Sequence, residues 1–109
     1  MANNDARERL LDLLDKKAFD PVLNASPDDY QSDKDKKRLK DVQETTRSTQ
    51  HSYHAKYKSA DKVVEMYRDD LSSSAAQKVH DELRGLGLPT LNDIKGEFEK
   101  LADQLDVKG

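Results

Sequence analysis

The chain has no cysteine and no tryptophan, and only three prolines and four glycines among 109 residues. Without thiols there is no disulfide, no zinc–thiolate site, no iron–sulfur cluster and no thiol nucleophile. No apolar run exceeds two residues, far short of the ~20 needed to span a bilayer as a helix. The start, Met1-Ala2-Asn3-Asn4-Asp5, lacks the basic and apolar regions of a secretory signal, so a cytoplasmic protein with no membrane association is expected. There is no phosphate-cradling glycine loop, no nucleophile elbow and no dinucleotide fingerprint. Hydrophobic residues are scarce as well, at 34%, and mean hydropathy is −1.03. The core must therefore be thin, although a net charge of only −3 keeps the chain out of the strongly charged, disordered class.

What the chain does have is helical periodicity and capping chemistry. A first helix is expected from about Asn4 to Phe19, capped by Asn4, with Ala6, Leu10, Leu13, Leu14 and Ala18 as its apolar stripe. Its Leu10-Leu11-Asp12-Leu13-Leu14 run matches the L-x-x-L-L pattern by which helices dock into grooves, and core packing explains the same run. Pro21 lacks an N–H and biases Asp20 away from helical angles, so the helix is expected to end there. Asn24, Ser26, Pro27, Asp28 and Asp29 form a turn-rich connection. Either Phe19, Val22, Leu23 and Tyr30 anchor residues 1–31 to the body, or the first helix is a loosely attached arm on a core of residues 32–109.

Ser32-Asp33-Lys34-Asp35 opens a long helix over about residues 33–58. Its centre, Thr45-Thr46-Arg47-Ser48-Thr49, has poor helix propensity and needs tertiary support to stay continuous. Ser59 can cap a further helix with Ala60, Val63, Val64, Tyr67 and Leu71 on one face. Serines 72–74 interrupt it. Ser74-Ala75-Ala76-Gln77 reads as a capping box for a helix with Ala75, Ala76, Val79, Leu83 and Leu86 inward. Gly85-Leu86-Gly87-Leu88-Pro89 is a stop, and Thr90-Leu91-Asn92-Asp93 a third box before Ile94, Phe98, Leu101 and Leu105. No useful segment alternates with period two. The expected fold is a single all-α domain, a small bundle of about five helices built around the long one.

The long helix has two unusual sides. Leu39, Val42, Thr46, Thr49, Tyr53 and Tyr57 share one face, a seam that spends inward positions on hydroxyls. Lys37, Lys40, Glu44, Arg47, His51, His54 and Lys58 form the opposite, largely cationic ridge. Between Asp33 and Lys58 there are eight Lys/Arg against four acids, so a segment of net +4 sits in a chain of net −3 and leaves −7 elsewhere. Acidic helices docked beside the basic one would neutralise it internally. A cationic patch for an anionic partner is the alternative.

Three chemistries compete for these residues. His51 and His54 at i, i+3 can face one metal ion, but Glu44 and Asp61 are the nearest third ligands and neither fits a known spacing. The Lys/Arg run 34–58 can contact phosphates, with Tyr53 or Tyr57 stacking on bases. However, acids interrupt the run, and Asn92, Asp93, Glu97 and Glu99 would repel phosphates from the second helix of a helix-turn-helix around Gly85–Thr90. Catalysis has ingredients but no constellation. The leading expectation is a non-catalytic interaction module, without a cofactor, that binds a protein partner through the ridge. The 3-4-3-4 spacing of the seam suits a close helix partner, an intramolecular one in a monomer or, second, another copy in a homodimer.

Overall fold

Serine hydroxyls set most of the helix starts. The computed structural model describes residues 3–107, with side chains described from Asp5 onward, so the side chain of Asn4 and its expected capping role lie outside the described residues. Helix α1 spans Asn3–Leu14, continues through a π-helical turn at Asp15–Phe19 and ends as the short α2, Asp20–Leu23. The long α3 runs Asp33–Ala55, α4 Ala60–Ser72, α5 Ser74–Gly85 and α6 Lys95–Gln104, with 3-10 turns at Pro27–Asp29 and Leu91–Ile94. The protein is an all-α bundle with five helices of ten residues or more, and no strand among the described residues. Ser32, Ser59 and Ser73 each accept a hydrogen bond from the backbone N–H three residues on. The cap of α5 is thus Ser73, not Ser74. Gln77, expected to complete a box with Ser74, instead donates to the Leu71 carbonyl at 2.6 Å, stitching α5 to the end of α4.

Pro21 does not end the first helical segment. The Asp20 N–H bonds back five residues to the Asp15 carbonyl, and the widened turn places Pro21 in the first turn of the resumed helix, where a missing N–H costs nothing. The same turn serves packing. Ala6, Leu10, Leu14, Ala18 and Val22 are all buried, an every-fourth-residue row that in a regular α-helix would drift about 40° per step around the axis. The π-turn takes back part of that drift. Leu11 is buried and Leu13 only partly so, the reverse of the expected stripe.

Helix α3 stays unbroken through Thr45–Thr49 and stops at Ala55, so Lys56, Tyr57 and Lys58 lie beyond it rather than on it. Arg7 explains the end point. Its Nε donates to the Tyr57 carbonyl and its Nη2 to the His54 carbonyl, both at 2.7 Å, supplying donors and positive charge where a helix leaves carbonyls unpaired. The closing turn of α5 is a Schellman motif. Gly87 takes the left-handed φ of +74°, with Leu88 N–H bonded to the Leu83 carbonyl (2.9 Å) and Gly87 N–H to that of Arg84 (3.0 Å).

The core is divided. One apolar cluster joins α1, the π-turn, Tyr53 at the far end of α3, α4, the Leu91–Ile94 turn and α6. A smaller one joins Val22, Leu39, Val42, Leu83 and Leu86, with Tyr30 and Leu88 packed on it. The long helix is the strut shared by both, in a molecule of 48 × 22 × 21 Å. Phe19 and Val22 are buried, Leu10 and Leu14 fully so, and α1 packs along α4. Among the described residues no helix is long and apolar enough to cross a membrane.

Candidate functional site

The seam of α3 divides into three parts. Leu39 and Val42 pack in the small cluster. Tyr53 is fully buried in the large one, ringed by Phe19 (centroids 5.6 Å apart) and by Tyr57 edge-on (5.0 Å). Between them Thr46, which is buried, and Thr49, which is half-buried, face α5 across the gap between the clusters. They line a cavity of about 250 Å³ at the junction of the two clusters. Small side chains at these positions leave this space, which leucines would fill.

The walls of this cavity are mainly apolar, with Ala18, Phe19 and Val22 from the first helical segment, Ala76, Val79 and Leu83 from α5, and Pro89 and Leu91 from the turn before α6. Thr45 and Ala75, both exposed, mark the side where it opens to solvent. Into this surface are set Thr46, Thr49, Asp70, Ser73, His80 and Thr90. His80 is 3% exposed and Thr90 1%, and His80 Nδ1 and Thr90 Oγ1 are buried with no hydrogen-bond partner. At Thr90 the expected capping box forms. Asp93 accepts from the Thr90 N–H at 3.0 Å, and the Thr90 hydroxyl lies over the Asp93 N–H without completing a hydrogen bond. Buried polar atoms normally find partners, and an orphan costs about 1–3 kcal/mol.

Asp70 is the sole ionisable carboxyl on the cavity wall, and no Lys or Arg joins it there. Tyr53 donates its O–H to Asp70 Oδ2 at 2.7 Å. Burial pushes the Asp70 carboxyl above the ordinary carboxylate range, against the pull of the Tyr53 hydrogen bond. Burial also pushes His80 below the ordinary imidazole value, with Arg84 adding to this and Asp70, Asp81 and Asp93 opposing it. A neutral imidazole keeps one ring nitrogen as acceptor and one as donor.

The ridge lies on the other side of α3. Lys37, Lys40, Glu44, Arg47, His51 and His54 are all exposed on the helix, whereas Lys58, also exposed, follows its end. His54 is drawn aside, its Nε2 lying 2.9 Å from Asp15 Oδ2 in the π-turn. Gln50 reaches the same turn, donating to Asp15 (3.0 Å) and Asp20 (3.3 Å). None of the other ridge residues makes a hydrogen bond or ion pair among the described residues. No group of three His, Cys, Asp or Glu that could hold a metal occurs among the described residues, and His51 and His54 gather no third ligand.

The comparisons with known proteins add no relative. No family model matches the chain, nor does any curated protein or solved structure.

Asp70, His80 and Thr90 are not marked as site residues by any motif in the sequence, unlike the i, i+3 pair His51 and His54 of α3. A signal did exist for one of them. His80 falls between Ala76 and Leu83 on the inward stripe of α5, a polar residue where the periodicity calls for an apolar one. Asp70 and Thr90 come from separate elements, so only the fold brings them together.

Proposed function

We propose that the chain is a small cytoplasmic, non-catalytic interaction module that presents the cationic face of α3 to an acidic surface on a partner protein. The observation that carries this reading is the lack of internal neutralisation. Several charges are paired within the molecule, as in Lys16–Asp12, Arg38–Asp35, Lys62–Glu65, Arg84–Asp81 and the two-pronged Arg68–Glu99 contact between α4 and α6, but Lys37, Lys40 and Arg47 make no ion pair among the described residues. They remain exposed at successive one-turn spacings along a rigid helix, with Glu44 among them to discriminate between charge patterns. From Lys37 to His51 the face runs about 21 Å, a length suited to a helix or strand of a partner. The protein acts as a monomer in this reading.

Carbodiimide cross-linking in nuclease-treated native extract tests it. The expected result is cross-links from Lys37 and Lys40 to carboxylates of one captured protein, lost in the Lys37→Glu/Lys40→Glu/Arg47→Glu variant whose circular dichroism is unchanged. Capture that survives the triple reversal, or that disappears with nuclease alone, overturns the assignment, the latter in favour of nucleic acid.

A further inference from the structure

The cavity at the junction of the two clusters goes beyond the ridge and does not depend on it. It has the composition of a ligand site: apolar walls with a few convergent polar groups. Its polar groups are also in deficit. His80 Nδ1 and Thr90 Oγ1 lack partners although both residues are more than nine-tenths buried. One oxygen of Asp70 accepts from Tyr53, and the other makes no hydrogen bond among the described residues. The hydroxyls of Thr46 and Thr49 are likewise uncommitted.

Charge and size narrow the ligand. The single ionisable carboxyl on the wall faces no Lys or Arg there, so an anionic ligand would meet repulsion and a cation would gain a charge-assisted hydrogen bond. Acceptors predominate once Asp70 is ionised and His80 neutral, which favours a head group that donates several hydrogen bonds. Apolar cavities of about 150 Å³ hold benzene, so 250 Å³ admits a ring or short branched chain plus a polar head.

We propose that this cavity is a binding site for a small organic amine, its ammonium held by Asp70 and its apolar body lodged between Phe19, Val22 and Leu83. Tyr53 positions the carboxylate, and Thr46 and Thr49 line the same cavity, with His80 and Thr90 in the wall behind. The walls come from both apolar clusters, so an occupant bridges the two halves of the core.

Phenethylamine, its neutral analogue 3-phenylpropanol and its acidic analogue 3-phenylpropionate probe the site at near-neutral pH, read by amide nitrogen–proton correlation spectra. The amine is expected to shift Thr46, Thr49, His80 and Thr90 saturably, and to bind about tenfold more tightly than the alcohol and more tightly still than the acid. Asp70→Asn should bring amine and alcohol to equal affinity while the alcohol continues to bind, which shows that the fold is intact. Thr49→Leu, which fills the space, should abolish binding of both. The proposal is overturned if none of the three probes shifts these residues, if the alcohol or the acid binds as tightly as the amine, or if Asp70→Asn leaves the amine unaffected.

Discussion

Tyr53 and Asp70 form a hydrogen bond of 2.7 Å between the end of α3 and α4, joining the most buried aromatic of the seam to the only carboxyl on the cavity wall. Burial raises the native-state pKa of that carboxyl. Its ionisation therefore opposes folding. Stability attached to the neutral acid is present below the unfolded value near ~3.9 and is lost as pH rises to the elevated native value. Asp70→Asn keeps an acceptor for Tyr53 and removes the ionisation, so near pH 7 the variant should be as stable as the parent or more so, with a flatter profile across the acid range. Tyr53→Phe should instead cost about 1–3 kcal/mol by leaving the carboxylate unpaired. Urea unfolding of the three proteins near neutral pH and near pH 4 checks both directions.

His80 should give the opposite slope in a different range. Its native pKa is lowered, chiefly by burial, so the unfolded chain takes up a proton near pH ~6.5 before the native one does. Stability is complete above that value and is lost as pH falls through the lowered native pKa. His80→Phe should lack this limb. Melting temperatures measured at about pH 7.5 and about pH 5.5 should show the variant gaining on the parent as the solution is acidified. A constant difference would mean that folding leaves the proton affinity of His80 unchanged.

Arg7 should matter more than an ordinary surface arginine. Its two 2.7 Å bonds to the carbonyls of His54 and Tyr57 close the end of α3 and tie it to α1. Arg7→Ala is expected to cost about 1–2 kcal/mol in chemical denaturation. Fraying should be confined to the last turn of α3, seen as faster amide exchange there. Arg7→Lys has one head group where two carbonyls are served and should recover only part of the loss.

Thr46→Leu separates the cavity from a dimer seam. If the face meets empty space, leucine extends into it and adds apolar burial, raising stability by about 1–2 kcal/mol at constant sedimentation coefficient. If the face meets a second copy, the change shifts the sedimentation coefficient or makes melting concentration-dependent. Stabilisation by both Asp70→Asn and Thr46→Leu is the outcome expected if the cavity is a binding site kept at a cost in stability.

The helices were legible because their signals are local. Serine caps, the Gly87-Leu88-Pro89 stop and the spacing of Val63, Val64 and Tyr67 act within a few residues and survive any tertiary arrangement. The π-turn was not legible from Pro21 alone. The rule that proline ends helices is correct for a regular α-helix, and the buried row at every fourth residue was the sign that this one is not regular. The inward position of Thr46 was legible, and the cavity beside it was not. Periodicity reports which side of a helix faces in, never whether atoms or space await it. The separation between the cationic face and the acidic remainder of the chain was visible in the sequence. That these charges stay apart depends on where α1, α4 and α6 dock, which sequence spacing does not encode.

The π-turn at Asp15–Phe19 also makes the length of that segment part of the cavity's construction. Removing a single residue there, such as Lys16, would place Pro21 inside a regular α-helix, where its ring and its missing N–H disrupt the turn before it. The face itself would hardly turn, because five residues of a π-turn sweep nearly the angle of four in an α-helix, but the break at Pro21 would fall just before Val22 and disturb that cavity wall. In this protein the spacing between the π-turn and Pro21 is as much a determinant of the site as the side chains that line it, and a one-residue deletion should be more damaging than most substitutions at the same place.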